Sequence, residues 1–101
     1  MEETETIGMQ ATAPKLKQPR MYKVILLNDD LTPMDFVVEI LEKWFNKNRE
    51  QATNIMFEVH NQGRGTCGIY TKDVAETKVM LVNDYSRGHG YPLICVAEAV
   101  D

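Results

Sequence analysis

Apolar positions first cluster at Met21, where Tyr22, Val24, Ile25, Leu26 and Leu27 form a β-rich run ended by the turn-forming Asn28-Asp29-Asp30. The pattern predicts a first strand. Thr32, Pro33 and Asp35 then read as a helix start, with Thr32 as the cap, Pro33 at the first helical position and Asp35 near the positive end of the dipole. That helix is expected to run to about Asn46. Met34, Val37, Leu41, Trp44 and Phe45 make one stripe along it, but Phe36, Val38 and Ile40 spread beyond the stripe. Such a helix needs cover on more than one side.

Asn48 with Gln51 three residues later marks a second helix start, and Ala52, Ile55, Met56 and Val59 fall at i, i+3, i+4 and i+7. Gly63 is the expected stop. Residues 66–71, with Cys67, Ile69 and Tyr70, read as a strand. Residues 73–85 read as a third helix closed by Ser86-Arg87-Gly88, and Pro92 opens a last strand over 93–97. The order strand, helix, helix, strand, helix, strand implies an α+β domain with a small sheet under helices.

The first twenty residues change this picture. They carry Glu2, Glu3, Glu5 and two prolines but no aromatic residue, so they are expected to form a disordered extension ahead of a domain at 21–101. The 101-residue chain is 44% hydrophobic and 26% charged, which fits one globular domain. A net charge of -4 and a pI near 5.1 argue against nucleic-acid binding. No apolar run approaches the roughly 20 residues that span a bilayer, and the start lacks a secretory core, so a cytoplasmic protein with no membrane association is expected.

Candidate chemistry concentrates in NDDLTPM, residues 28–34, which packs an amide, two carboxylates, a hydroxyl and a thioether into one turn. Asp30 and Thr32 are explained as turn and cap residues, whereas Asp29 beside a second carboxylate is a candidate for binding a cationic group. On the second helix Met56 and His60 are four apart and share a face with Val59 nearby. Spacing alone reads His60 as a structural histidine near a helix end and Met56 as core. His60, Cys67, His89 and Cys95 could ligate zinc, but none forms a close ligand pair, and neither a metal nor a cofactor is expected. A nucleophilic Cys67-His60-Asp29 arrangement is conceivable. However, Cys67 lies in an apolar strand with nothing to lower its pKa, so catalysis is not expected.

The segments MYKVILLNDDLTPMDFV, QATNIMFEVHNQG, CGIYT, VAETKVMLVN and YPLICVAEA, in this order, closely resemble the ClpS family of bacterial N-degron adaptors over nearly all of residues 21–99. The resemblance implies three antiparallel strands against three helices, a fold similar to the C-terminal domain of the ribosomal stalk protein. It implies that Asn28, Asp29 and His60 hold the free α-ammonium of a substrate's first residue. It also implies an apolar pocket of Thr32, Met34, Val37, Met56, Val59 and Leu93 that accepts Leu, Phe, Tyr or Trp, with Met34 as a gate against β-branched side chains. Asp73 and Lys78 match positions that contact the N-terminal domain of the unfoldase ClpA. Taken without the resemblance, these two residues are ordinary solvated charges. The implied role is delivery of N-degron substrates to ClpAP, with the N-terminal extension serving that delivery.

Overall fold

The computed structural model describes residues 19–100. The extension expected over 1–20 therefore lies, apart from Pro19 and Arg20, outside the described residues, as does Asp101.

The described chain forms strand β1 (Met21–Leu27), helices α1 (Met34–Trp44) and α2 (Arg49–Gln62), strand β2 (Arg64–Thr71), helix α3 (Lys72–Gly88) and strand β3 (Ile94–Ala99). The strands make one antiparallel sheet in the order β2-β1-β3, so β1 is central and pairs on both sides. The expected α+β architecture and element order are present. Alternation along β1 sends Val24 and Leu26 into the core, where they join Ile40, Leu41, Cys67, Ala75, Val82 and Cys95. Ile25 faces the other side of the sheet, the side on which Arg64 and Glu98 reach across β1 to an ion pair at 2.7 Å.

Helix α1 is covered on two sides, as its broad apolar surface requires, with Phe36, Val37, Val38, Ile40 and Leu41 all buried. Toward α3, the Phe36 ring stacks on Tyr85 at 5.5 Å and meets Tyr91 edge-on at 4.7 Å. Helix α2 opens on the anticipated capping box: the Asn48 side chain accepts from the Gln51 N–H at 2.8 Å, and the Gln51 side chain accepts from the Asn48 N–H at 3.0 Å. It ends at Gly63, left-handed with φ 88°, whose N–H donates to the Val59 carbonyl.

Several boundaries differ from the sequence reading. Strand β2 begins at Arg64 rather than at 66, and β3 covers Ile94–Ala99 rather than 93–97, so Leu93 precedes the last strand. Helix ends differ as well. Pro33 is the residue ahead of α1 rather than its first helical position, and no side chain caps that helix. The hydroxyl of Thr32 turns back to the carboxylate of Asp29, a charged acceptor that competes better for a donor than a neutral group does. Helix α3 runs through Ser86-Arg87-Gly88, and the chain reverses at Gly90, which takes φ 78°. Gly88 needs no special conformation there, so the second glycine makes the turn.

The register decides where a site can form. Leu27 at the end of β1 pairs with Arg64 at the start of β2 and with Ile94 at the start of β3. The residues just outside those pairs, Asn28, Gly63 and Leu93, therefore converge at one end of the sheet. The turn into α1, the end of α2 and the approach to β3 meet there.

Candidate functional site

At that end of the sheet the Asp29 carboxylate organises the turn. Its Oδ1 accepts from the backbone N–H groups of Leu31 and Thr32, both at 2.8 Å. The Thr32 hydroxyl lies 3.0 Å from Oδ1 and 2.8 Å from Oδ2. A carboxylate offers about four lone-pair positions, so Oδ2, with a single neighbour, is the oxygen left open to a further donor. The turn is fixed from the other side by the Asn28 N–H, which donates to the Gly63 carbonyl at 3.0 Å.

Between this turn, α1 and α2 lies a concavity of about 300 Å³. That is the small end of the usual range of ligand pockets, about 300–1,000 Å³. Asn28, Asp29, Asp30, Thr32 and His60 form its polar side. Val37, Met56, Val59 and Leu93 form an apolar floor, each no more than 6% exposed. Met34 stands at the rim with 44% of its surface exposed, next to Leu31 at 77%. The lining carries two carboxylates and a histidine but neither lysine nor arginine, so its field favours a cation. One end can bind a small cationic donor group while the other removes an apolar side chain from water.

All nine residues that the sequence reading assigned to amine and side-chain binding line this one concavity. His60 is exposed on it, one turn from the buried Met56, rather than packed as a structural histidine. Asp30, Leu31 and Pro33 also line it. Their signal was contiguity, since all lie within the 28–34 segment.

The alternative chemistries find no matching geometry. Cys67 is fully buried in the core, and burial first, then the nearby Cys95, pushes its thiol far above the usual range. Among the described residues no group of three or more His, Cys, Asp or Glu side chains is placed to hold a metal ion. No described helix is long and apolar enough to cross a membrane.

Asp73 and Lys78 lie elsewhere, on α3, beside a second and more open concavity of about 270 Å³ shared with Val74, Thr77 and Leu81. Lys78 is not simply a solvated charge: its Nζ donates to the Trp44 carbonyl at 2.6 Å and sits 5.1 Å from the Tyr70 ring centre and 5.6 Å from that of Phe45.

Fold and site together define a small α+β binding domain whose pocket combines cation-accepting oxygens with an apolar floor. The family described as "ATP-dependent Clp protease adaptor protein ClpS" matches residues 17–96. The chain is 60% identical over 85 residues to the ATP-dependent Clp protease adapter protein ClpS of Rhodospirillum centenum, covering 84% of this chain and 79% of that one. It is 60% identical over 87 residues to ClpS 1 of Rhizobium meliloti, covering 86% and 74% respectively. Among solved structures, Agrobacterium tumefaciens ClpS2 bound to L-phenylalaninamide is similar with a TM-score of 0.80 and 34% identity, over 82% of this chain and all of the other. The chain belongs to the ClpS family of Clp protease adaptors.

Proposed function

We propose that this chain binds proteins through a free α-amino group and a bulky hydrophobic first residue, Leu, Phe, Tyr or Trp, and delivers them to ClpA for degradation by ClpAP in the cytoplasm, without catalysing a reaction itself. The observation that carries this reading is the placement of the Asn28, Asp29 and His60 side directly beside the floor of Val37, Met56, Val59 and Leu93 within one small concavity. Similarity to a ClpS2 bound to L-phenylalaninamide, whose α-carbon carries both a free amine and a bulky side chain, supports it.

An α-ammonium has three donors. Asp29 Oδ2 takes one with charge assistance, the side-chain carbonyl of Asn28 a second, and a ring nitrogen of His60 a third. An acetylated or internal residue lacks both the charge and the donors. Burying a Leu or Phe side chain on the apolar floor contributes roughly 1.5–3 kcal/mol. Flexible Met34 and Met56 adapt the walls to different shapes. Asp73 and Lys78, beside the apolar surface of Val74 and Leu81, are assigned to contact with the N-terminal domain of ClpA.

The test is fluorescence anisotropy on peptides that differ only in the first residue, with an acetylated copy of the Leu peptide. Tight binding is expected for Leu, Phe, Tyr and Trp and weak binding for Ile, Val, Ala and the acetylated copy. Equal affinity for the free and acetylated forms overturns the reading.

A further inference from the structure

Leu93 is 2% exposed and forms part of the pocket floor, yet it lies in the stretch between the Gly90 turn and the first residue of β3. The β1 ladder begins only at Ile94, and Pro92 has no N–H to give. What holds the segment comes from α3. The Ser86 carbonyl accepts from the Tyr91 N–H at 3.0 Å, and the Ser86 hydroxyl donates to the Tyr91 carbonyl at 3.1 Å. Three residues earlier on the same helix face, the Asn83 side chain accepts from the Cys95 N–H at 2.8 Å and donates to the Cys95 carbonyl at 3.1 Å.

Each residue thus binds both the N–H and the C=O of one backbone position, and the two positions stand on either side of Leu93. Cys95 lies on the free edge of β3, so the Asn83 carboxamide does there what a further strand would do. Ser86 is the buried polar residue among the described side chains, with 0% exposure, and Tyr91 supplies its partner. Neither Asn83 nor Ser86 lines the pocket.

We infer that Asn83 and Ser86 are positioning residues for side-chain specificity: together they clamp the backbone around Leu93 and fix how far this wall stands from a bound first residue. The inference rests on the adaptor reading above. The groups that read the amine, Asn28, Asp29 and His60, are held by other bonds: Asp29 accepts from the Leu31 and Thr32 N–H groups, and the Asn28 N–H donates to the Gly63 carbonyl at the end of the helix that carries His60. Loosening the clamp therefore alters the ranking of first side chains while leaving selection of the free amine intact. Loss of a merely structural bond weakens all peptides alike.

The experiment compares wild type, Asn83→Ala, Ser86→Ala and Ser86→Thr by anisotropy with peptides beginning with Leu, Phe or Trp and with acetylated Leu. Thermal unfolding confirms that each variant is folded. A change of threefold or more in the Leu-to-Trp affinity ratio is expected for both alanine variants, with the acetylated peptide still rejected and with Ser86→Thr restoring the wild-type ratio. Should Asn83→Ala fail to fold, Ser86→Ala with its threonine rescue decides the question. A ratio that moves less than threefold in the folded variants, or moves and is not restored by threonine, overturns the clamp alone. If wild type binds free and acetylated peptides equally, the adaptor reading itself falls.

Discussion

The backbone N–H of Asn28 donates to the carbonyl of Gly63 at 3.0 Å, joining the turn that carries Asp29 to the end of the helix that carries His60. The bond depends on Gly63 holding φ 88°. An added Cβ meets nothing within 4 Å there, so Gly63→Ala is opposed by backbone strain rather than by a clash. A non-glycine residue in this conformation costs about 1–2 kcal/mol. Urea unfolding is expected to show that loss for Gly63→Ala and a smaller one for Gly63→Asn. Peptide affinity falls in the same order. An alanine variant as stable as wild type contradicts the account.

Gly65 is required for the opposite reason. A Cβ at this position would lie 2.7 Å from Val59 Cγ2 and 3.4 Å from the Ile55 carbonyl, so α2 rests on β2 only because the side chain is missing. Gly65→Ala pushes α2 outward and carries Val59 and His60 away from the turn. Overpacking of this kind costs roughly 1–3 kcal/mol. Affinity should fall severalfold, while Gly88→Ala, where space is open at the end of α3, leaves both stability and binding near wild type. Equal behaviour of the two variants argues against a close-packing role for Gly65.

Asp29 has two tasks that substitution can separate. Asp29→Asn keeps an acceptor for the Leu31 and Thr32 amides but removes the charge that would meet an ammonium. A hydrogen bond to a charged group is worth about 1.5–3 kcal/mol, so roughly 10- to 100-fold weaker binding is expected with little change in thermal stability. Thr32→Val leaves the charge but removes the hydroxyl beside Oδ2, and a smaller loss follows from a less well-fixed carboxylate. If Thr32→Val is the more damaging change, local turn geometry and not charge governs the site.

The architecture was legible because local signals agreed with the fold. The capping box at Asn48 and Gln51, the Gly63 stop and the two-sided apolar surface of α1 each depend on neighbours close in sequence. The missed features depend on partners farther away or on competition within a turn. The Thr32 hydroxyl could accept from a helix N–H as a cap or donate to a nearby carboxylate, and only the folded turn shows that it donates to Asp29. Lys78 reads as a surface charge until α1 ends beside it and offers the Trp44 carbonyl, 34 residues away. His60 was ambiguous because spacing places it on the Met56 face without showing that this face meets the turn at Asn28. Pairing of Leu27 with both Arg64 and Ile94 brings them together, and such register is a property of the whole sheet.

Met34 differs from the rest of the apolar wall. It is 44% exposed at the rim, whereas Val37, Met56, Val59 and Leu93 are buried. Shortening it opens the rim and leaves no cavity in the core. Met34→Ala is expected to admit peptides beginning with Ile or Val while changing stability by no more than about 0.5 kcal/mol. Anisotropy with Ile, Val and Leu peptides checks this. Unchanged rejection of Ile and Val means that the gate lies elsewhere.

The two thiols give the protein an alkaline weakness unrelated to its site. Burial raises Cys95 from an ordinary value of 9.0 to about 12, and it raises Cys67 higher still. Below pH 9 both thiols are protonated in either state, and their contribution to stability is complete. As pH rises above 9 the unfolded chain releases these protons while the folded chain retains them, so the unfolded state binds fewer protons and stability declines. The loss at pH 10 is on the order of 1 kcal/mol for each thiol. Urea midpoints measured from pH 8 to 11 should therefore fall more steeply for wild type than for the Cys67→Ala, Cys95→Ala double variant, even though the variant begins less stable from its lost packing. Parallel slopes would mean that the thiols ionise as readily in the folded chain as in the unfolded one. Alkylation in the native state at pH 8 offers a second check, because buried protonated thiols react slowly until the chain unfolds.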